Sequence, residues 1–347
     1  MANRHTKRVT LEDVAREAVV SVATASMALN NRPGINAETR RRVEEAAAHL
    51  GYAGVRRAPG RRIGVWMPDQ SAADQYQAML LRGVSLASAE AGYQTVYITT
   101  TLGRYREPVP VPDPRDLDIQ GIIVPSGPSL GHLARLASFP GLTVLVDSHG
   151  LFPHCPSVDN DDEGGAYIAT QHLTGLGHEV IGYVGGAAAH NTLTWRGFRR
   201  ALAEAGRVIY PELTFDGSWS TQRGYRSATR MLEAPRRPTA VFCAADILAF
   251  GVIHAFQEHG LRVPEDVAVV SMDDVELAAH FNPPLTTVRV PIQEMGATAV
   301  RMLVGLLDGT WTEPTRIVLP DSLIVRRSCG AAAVPSLANP TGVSHAV

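Results

Sequence analysis

The stretch that decides the fold runs from Val9 to Tyr52: VTLEDVAREAVVSVATASMALNNRPGINAETRRRVEEAAAHLGY. It reads as three short helices. Thr10 and Asp13 stand at capping-box spacing, where a hydroxyl and a carboxylate three residues later each satisfy a backbone N–H that a helix start leaves free. Val14, Ala15 and Ala18 then recur on one helix face. After a break, Ser21 is placed to cap a second helix from Val22 to about Asn30. Pro33 and Gly34 mark a loop. Asn36 is placed to cap a third helix, Ala37–Leu50, with Val43, Ala46, Ala47 and Leu50 inward and Gly51 as its stop. Two helices joined by a short turn and buttressed by a third make a helix-turn-helix plan. The second helix is short and small-sided enough to lie in a DNA major groove.

Charge supports that reading. From Met1 to Arg62 the chain carries 12 Lys and Arg against 6 Asp and Glu, and the remainder carries 20 against 28. A basic end on an acidic body fits a nucleic-acid-binding module joined to a regulatory domain. The chain has 347 residues, 45% of them hydrophobic and 19% charged, which is enough for two or three folding units with a sizeable core. No apolar run is long enough to span a membrane, and the N-terminus has no apolar signal core, so the expected location is the cytoplasm. Cys155, Cys243 and Cys329 lie far apart with no C-x-x-C pair, so neither a disulfide framework nor a metal site is expected.

Beyond Arg62 short apolar strands alternate with amphipathic helices. The strand segments are I-G-V-W-M, T-V-Y-I-T, G-I-I-V-P, T-V-L-V-D, V-I-G-Y-V, A-V-F-C-A and V-A-V-V-S. The helical segments are Tyr76–Ala91, Tyr167–Leu176, Trp195–Ala205, Ile247–His259 and Ile292–Leu307. This pattern predicts parallel sheets buried on both faces. Two such units, with L-T-T-V-R-V-P and L-P-D-S-L-I-V-R-R returning late, resemble a type I periplasmic-binding-protein core. Ligands of such sheets bind beyond the carboxyl ends of the strands, in the cleft between subdomains. There is no G-x-G-x-x-G, no P-loop and no nucleophile with its base, so no cofactor and no catalytic role is expected. Asp273 and Asp274 are adjacent on a strand end and point different ways, which suits Asp273 as a hydrogen-bond acceptor better than as half of an acid–base pair.

The segments V-T-L-E-D-V-A-R-E-A, S-V-A-T-A-S-M-A-L-N and T-R-R-R-V-E-E-A-A-A-H-L-G-Y closely resemble the headpiece of the lac repressor (LacI/GalR) family. The resemblance continues to about residue 328 through S-V-D-N-D-D-E-G-G, H-L-T-G-L-G-H, G-L-R-V-P-E-D-V-A-V-V-S-M-D-D and P-P-L-T-T-V. It implies an all-α helix-turn-helix headpiece (residues 1–54), a short basic linker (55–62) and an α/β two-subdomain core (62–328). The first subdomain is expected over about 62–157 and 290–317, the second over about 158–289 and 318–328, and the tail 329–347 is expected to be disordered.

By the same resemblance, the base-reading positions fall on Val22, Ala23 and Met27. Phosphate-contacting roles fall on Thr10, Ser21, Thr24, Ser26 and Asn30, and Arg56 and Arg57 of the linker are placed to grip phosphates. All three base readers are apolar, so they suit thymine methyl groups and not the hydrogen-bonding edges of guanine or adenine. Effector-cleft roles fall on Tyr76, Asp147, Trp219, Asp246 and Asp273, with Thr194, Trp195 and Arg196 at the position where the family carries an arginine. An aromatic such as Trp219 can stack on a sugar or base face while carboxylates take hydroxyls or amines.

The chain also departs from the family pattern. Val19 replaces a turn glycine, Ala245 replaces an asparagine, and Thr194 stands for the arginine. The linker is short, lacks the family's leucine and contains Pro59 and Gly60, which break helices. The four prolines of E-P-V-P-V-P-D-P predict an extended stretch within 99–120. The helix over 75–91 is the family's dimerisation face.

The expected function is therefore that of a homodimeric transcriptional regulator, a repressor, on pseudo-palindromic double-stranded operator DNA. A small effector, a sugar or a nucleoside, would occupy the cleft. Two alternatives stay open at this point: a regulator no longer under small-ligand control, and a solute-binding protein of the same core fold.

Overall fold

The computed structural model describes residues 9–29, 34–50, 61–68, 75–100, 117–125, 141–149, 152, 154–186, 192–311 and 315–331. Asn30, residues 55–60 of the linker with Arg56 and Arg57, the proline-rich stretch and residues 332–347 lie outside the described residues. The chain divides into two compact units, Met1–Arg61 and Arg62–Val347.

The first unit contains α1 (Leu11–Glu17), α2 (Val22–Leu29) and α3 (Ala37–His49). Each starts where a side chain can accept a free backbone N–H. Thr10 N–H donates to Asp13 Oδ2 at 2.9 Å and Asp13 N–H donates to Thr10 Oγ1 at 3.4 Å, completing the capping box. Thr24 N–H donates to Ser21 Oγ at 3.0 Å, and Thr39 N–H to Asn36 Oδ1 at 2.8 Å. The core is Val14, Ala15, Ala18, Ala25, Ala28, Val43 and Ala46, with Leu11, Val20, Leu29, Ile35, Ala47 and Leu50 packed on it. Five alanines among seven buried residues let the three helices approach closely, at the cost of little apolar area per residue.

The turn between α1 and α2 keeps the geometry of a glycine although it holds a valine. Val20 N–H donates to Ala15 O at 3.0 Å and Val19 N–H to Arg16 O at 3.2 Å. This is the Schellman pattern, which requires a left-handed residue just past the helix. Val19 supplies it with φ 54°. Its side chain is 83% exposed and so gains almost nothing from packing.

The second unit contains two six-stranded sheets. The first has strand order β11-β5-β4-β3-β1-β2, with β1 (Arg62–Pro68), β2 (Gln94–Thr100), β3 (Gly121–Pro125), β4 (Leu142–Val146), β5 (Ser157–Asn160) and β11 (Arg316–Leu319). The second has order β12-β10-β9-β8-β6-β7, with β6 (Ile181–Val184), β7 (Thr214–Phe215), β8 (Ala240–Cys243), β9 (Ala268–Asp273), β10 (Thr286–Arg289) and β12 (Ser322–Ile324). Every pairing is parallel except β10 with β12, which is antiparallel. Parallel strands demand crossover helices, and these cover the sheets. On the first sheet lie α4 (Gln75–Glu90) and α10 (Ile292–Leu307). On the second lie α5 (Asp162–Gly175), α6 (Leu193–Glu204), α7 (Thr221–Glu233) and α8 (Asp246–Glu258), with a short α9 (Glu276–His280) after β9.

Both faces of the first sheet are buried. Ile63, Val65, Ile123, Val144 and Val146 join one cluster with Leu80, Val84 and Leu303, while Trp66, Ile122, Val124 and Leu145 join another. Residues i and i+2 share a face, so each strand serves two cores at once. Helices α4 and α10 cross at glycine: a Cβ on Gly83 would lie 1.9 Å from Gln293 O. The chain passes between the sheets three times, from β5 to α5, from β10 to α10 and from β11 to β12.

Several elements differ from the sequence expectation, among them β7, α9 and β11, which were not expected at all. Helix α5 starts at Asp162, five residues before Tyr167, capped by Asp161, which accepts Gly164 N–H at 3.0 Å. Strand β5 is fully buried despite reading S-V-D-N, because its polar side chains are satisfied inside. Helix α7 was not expected from T-Q-R-G-Y-R-S-A-T-R-M-L-E, whose three arginines mask a narrow buried stripe of Gly224, Ser227, Ala228 and Met231.

The turn at Val19 yields an expectation. A β-branched residue in the left-handed region costs about 1–2 kcal/mol, of which glycine would return part through its own unfolded-state entropy. Val19→Gly should raise the hydrogen-exchange protection of the α1 and α2 amides in the full chain by about two- to five-fold. Unchanged or lower protection would contradict a strained turn.

Candidate functional site

In the first unit the side chains assigned to base reading share an exposed surface of α2. Val22 is 45% exposed and Met27 38%, and Ala23 lies open between them. Thr24 and Ser26 are half-buried, and Ser21 is exposed at the helix start. The Ser21 and Thr24 hydroxyls lie 2.8 Å apart. Thr10 is exposed as well, but its hydroxyl is engaged with Asp13 Oδ2 at 2.7 Å. The exposed face of α2 is thus apolar at its centre and hydroxyl-bearing at its start, and no charged side chain lies on this helix.

In the second unit the strand ends of both sheets carry the same device. Among the described residues, the non-glycine positions with left-handed backbone in this unit are Asp118, Asp147, His149, Asp273 and Asp274, with φ of 51°, 58°, 51°, 116° and 57°. Four of these five stand just beyond β4 and at the end of β9, where ligands of such sheets bind. Each strained residue costs on the order of 1–2 kcal/mol and persists only where its surroundings hold it.

The holder in the first subdomain is Asp159. Its carboxylate has no exposure to solvent. Oδ1 accepts Ser148 N–H at 2.8 Å and His149 N–H at 2.9 Å, while Oδ2 accepts Arg316 Nε–H at 2.7 Å and the Ser157 hydroxyl at 3.2 Å. Burial by itself would raise its pKa, but the Arg316 bond and the two backbone donors outweigh burial and hold it below the ordinary value. The holder in the second subdomain is Asp246, equally unexposed. It accepts the Ser271 and Thr287 hydroxyls and, at 2.9 Å, Val275 N–H, while its own backbone N–H donates to Asp273 Oδ2 at 3.2 Å. Burial pushes its carboxyl up to about 6 against those hydrogen bonds. Asp246 therefore orders the turn from Ser271 to Val275, a task different from the ligand contact expected of it.

Tyr76, on the first turn of α4, brings the two subdomains' acidic groups together. Burial and then the charges of Asp147, Asp273 and Asp162 raise its phenol well above the ordinary tyrosine value, and its side chain is hydrogen-bonded to Asp147. Tyr76, Asp147 and Asp273 thus form one group across the cleft. His149 joins it, with Nε2 2.7 Å from Asp147 Oδ1 and 3.1 Å from Asp162 Oδ2. Burial favours the neutral ring, but the Asp147 bond and the charges of Asp147, Asp162 and Asp159 carry its pKa to about 9. One nitrogen of His149 and one carboxylate oxygen each of Asp147 and Asp162 lie within 4.8 Å of one another. Burial and then the Asp147 charge push Asp162 up to about 6, with His149 opposing. Asp321 lies where the chain returns from β11 to β12. Its Oδ2 accepts Asn160 Nδ2–H at 3.1 Å, and burial lifts it to about 7.

The remaining expected residues lie elsewhere in the second subdomain. Thr194 is buried, with its hydroxyl 3.0 Å from those of both Tyr183 and Thr192. Trp195 is buried edge-on to Tyr183 at 5.0 Å and stacked on Phe198 at 5.5 Å, inside an aromatic cluster. Arg196 is exposed and pairs with Glu163 at 3.1 Å. Trp219 is half exposed and covers Gly186, where a Cβ would stand 2.1 Å from the indole. Sequence reasoning missed His149, Asp159, Asp162, Asp321 and Arg316. The S-V-D-N-D-D motif was the signal for two of them, Asp159 and Asp162.

Asp321 sets a pH dependence. A carboxyl whose folded pKa is raised stabilises the fold fully below its unfolded value near 3.8, and that contribution is lost as pH rises through about 7. Asp321→Asn should match the parent at pH 4 and be more stable at pH 8 by on the order of 1–2 kcal/mol, discounted for partial solvent screening. Chemical denaturation at the two pH values measures it, and equal differences at both would contradict the assignment.

Comparison with known proteins agrees with both units. Residues 10–54 match the bacterial regulatory proteins of the lacI family, and residues 170–329 match the periplasmic binding protein-like domain. The HTH-type transcriptional repressor MelR of Bacillus subtilis is 33% identical over 350 residues, covering 94% of this chain and 98% of its own length. The transcriptional regulator CelR, solved as a cellobiose complex, superposes with a TM-score of 0.68 at 30% identity, over 92% of this chain and 100% of that one. The lac repressor dimer bound to operator and the anti-inducer ONPF superposes with a TM-score of 0.67 at 26% identity, over 93% and 99% of the two chains. With a helix-turn-helix of this pattern joined to a two-sheet cleft of this topology, the chain belongs to the lacI family of bacterial regulatory proteins and is a DNA-binding transcriptional regulator.

Proposed function

We propose that the protein is a cytoplasmic homodimeric repressor that reads a two-fold operator through α2 and answers to a sugar or nucleoside in the cleft. The observation that carries the reading is the exposed, capped α2 with Val22, Ala23 and Met27 outward. Apolar readers discriminate through contact with the thymine methyl, while hydroxyls and helix starts engage phosphates. Homodimerisation is supported by the dimeric lac repressor and by two large apolar side chains left exposed in the first subdomain, Leu86 of α4 at 50% and Tyr97 of β2 at 49%. The effector reading is supported by the cellobiose complex of CelR and by the Tyr76, Asp147 and Asp273 group, whose acceptors suit hydroxyls and amines. An effector that binds the two subdomain arrangements unequally shifts the population between them, and the headpiece spacing with it.

Selection of bound genomic DNA, followed by footprinting, tests the reading. It should return pseudo-palindromes whose affinity falls on the order of 10³-fold between 50 and 200 mM salt. Replacing the contacted thymines by uracil should weaken binding by roughly threefold or more, since only a methyl contact is lost. Affinity that stays constant at every thymine excludes methyl reading, and binding indifferent to salt excludes an operator-binding protein.

Thr194 in the interior and Ala245 at the start of α8 leave a second reading, a regulator without small-ligand control. Thermal unfolding across a panel of sugars and nucleosides separates the two. An effector at 100 times its Kd should stabilise the core by about 2.7 kcal/mol, a shift of several degrees. No shift with any member of the panel favours the second reading.

A further inference from the structure

We propose that His149 is a positioning residue that ties the two subdomains together across the cleft, holding Asp147 of the first against Asp162 of the second. The proposal rests on the reading that the angle between subdomains carries the effector's signal.

The geometry of the tie is asymmetric in the way a latch requires. His149 belongs to the first subdomain: it follows β4, and its backbone N–H is fixed by the buried Asp159 at 2.9 Å. Asp162 is the first residue of α5, which packs on the second sheet. A single ring nitrogen, Nε2, serves both Asp147 and Asp162. The contact sits beside the first chain crossing. Asn160 Nδ2–H there donates to Asp162 Oδ1 at 2.7 Å and to Asp321 Oδ2 at 3.1 Å, so the first and third crossings are joined to the same network. Rotation of one subdomain against the other must break the Asp162 contact or move Asp147 and the turn behind it.

The charges around His149 explain why a cation is needed at this place. The first subdomain presents Asp147, Tyr76 and Asp159, the last neutralised by Arg316. The second presents Asp162 and Asp273, and Asp161 and Asp321 stand at the crossings. Asp274 lies apart with its own partners, Arg289 and Arg326. With His149 neutral, Asp147 and Asp162 face each other uncompensated, and like charges in a partly buried site repel. A raised imidazole pKa means that the tie is complete at neutral pH and is lost as pH rises through about 9.

Hydrogen exchange of the full-length chain tests this without any effector. The amides of residues 160–162, of Val290 and Ile292, and of Leu319, Asp321 and Ser322 report the three crossings, and protection is compared after correction for the intrinsic pH dependence of exchange. In the parent chain, crossing protection should fall by about tenfold between pH 7 and pH 10. His149→Gln and Asp162→Asn should each show the low protection already at pH 7 and no further fall. If both variants keep the parent's protection and pH profile, the proposal is overturned. It is equally overturned if protection is lost uniformly through the strands of both sheets, because His149 would then support the fold and not the hinge. Operator binding of the same proteins separates this inference from the reading beneath it. A crossing effect in chains that bind no operator leaves the tie standing and removes the regulatory role.

Discussion

Two carboxylates without any exposure to solvent, Asp159 and Asp246, hold the strand ends on which the cleft depends. A buried carboxylate is tolerable only when its lone pairs are filled, and filling them fixes whatever supplies the donors. Asp159 takes two successive backbone N–H groups, one hydroxyl and a guanidinium. Asp246 takes two hydroxyls and one backbone N–H. In the first subdomain the product is a turn whose backbone N–H groups are locked from behind; in the second, Asp246 fixes Val275 N–H, while Asp273 accepts Asp246 N–H and Asp274 is held by Arg289 and Arg326. The two aspartates are a matched pair of supports, one per sheet, and neither needs to touch a ligand to govern what the ligand meets.

Strain and satisfaction are distributed accordingly. In the core, four left-handed non-glycine residues at the cleft are offset by dense hydrogen bonding beneath them. In the headpiece, the left-handed Val19 has no such compensation beyond its own Schellman bonds. The headpiece core is built mainly from alanine, so its stability leans on caps at Thr10, Ser21 and Asn36 and on close helix approach. Such a module can present a small-sided apolar helix to DNA because little of that helix's surface is committed to the interior.

The cleft is more acidic than the effector assignments by themselves suggested. Tyr76, Asp147 and Asp273 do come together, and His149, Asp162 and Asp321 crowd the same region. The fold tolerates the crowding by mixing means: one carboxylate pairs with arginine, one is held by hydroxyls, one shares an imidazolium, and one has its proton affinity raised by burial. Thr194 and Trp195, by contrast, are absorbed into the aromatic cluster around Tyr183, where they shape the second subdomain and not its opening.

The sequence by itself determined the elements and their kind. Caps, apolar periodicity and turn residues act within a few positions of one another, so the three headpiece helices and nine of the twelve described strands were legible, with α2 read to within a residue of its end. Strand β5 and helix α7 were not, because S-V-D-N looks polar until its partners are known and the arginines of α7 hide its narrow buried stripe. Tertiary structure alone decided which aspartate stays partly accessible at the strand ends and which is buried beneath the turn. Asp246 receives its donors from 25 to 41 residues away, and Asp159 pairs with Arg316 across 157. A carboxylate has no fixed role in a sequence; its role is set by the donors that distant segments bring to it and by the water they exclude.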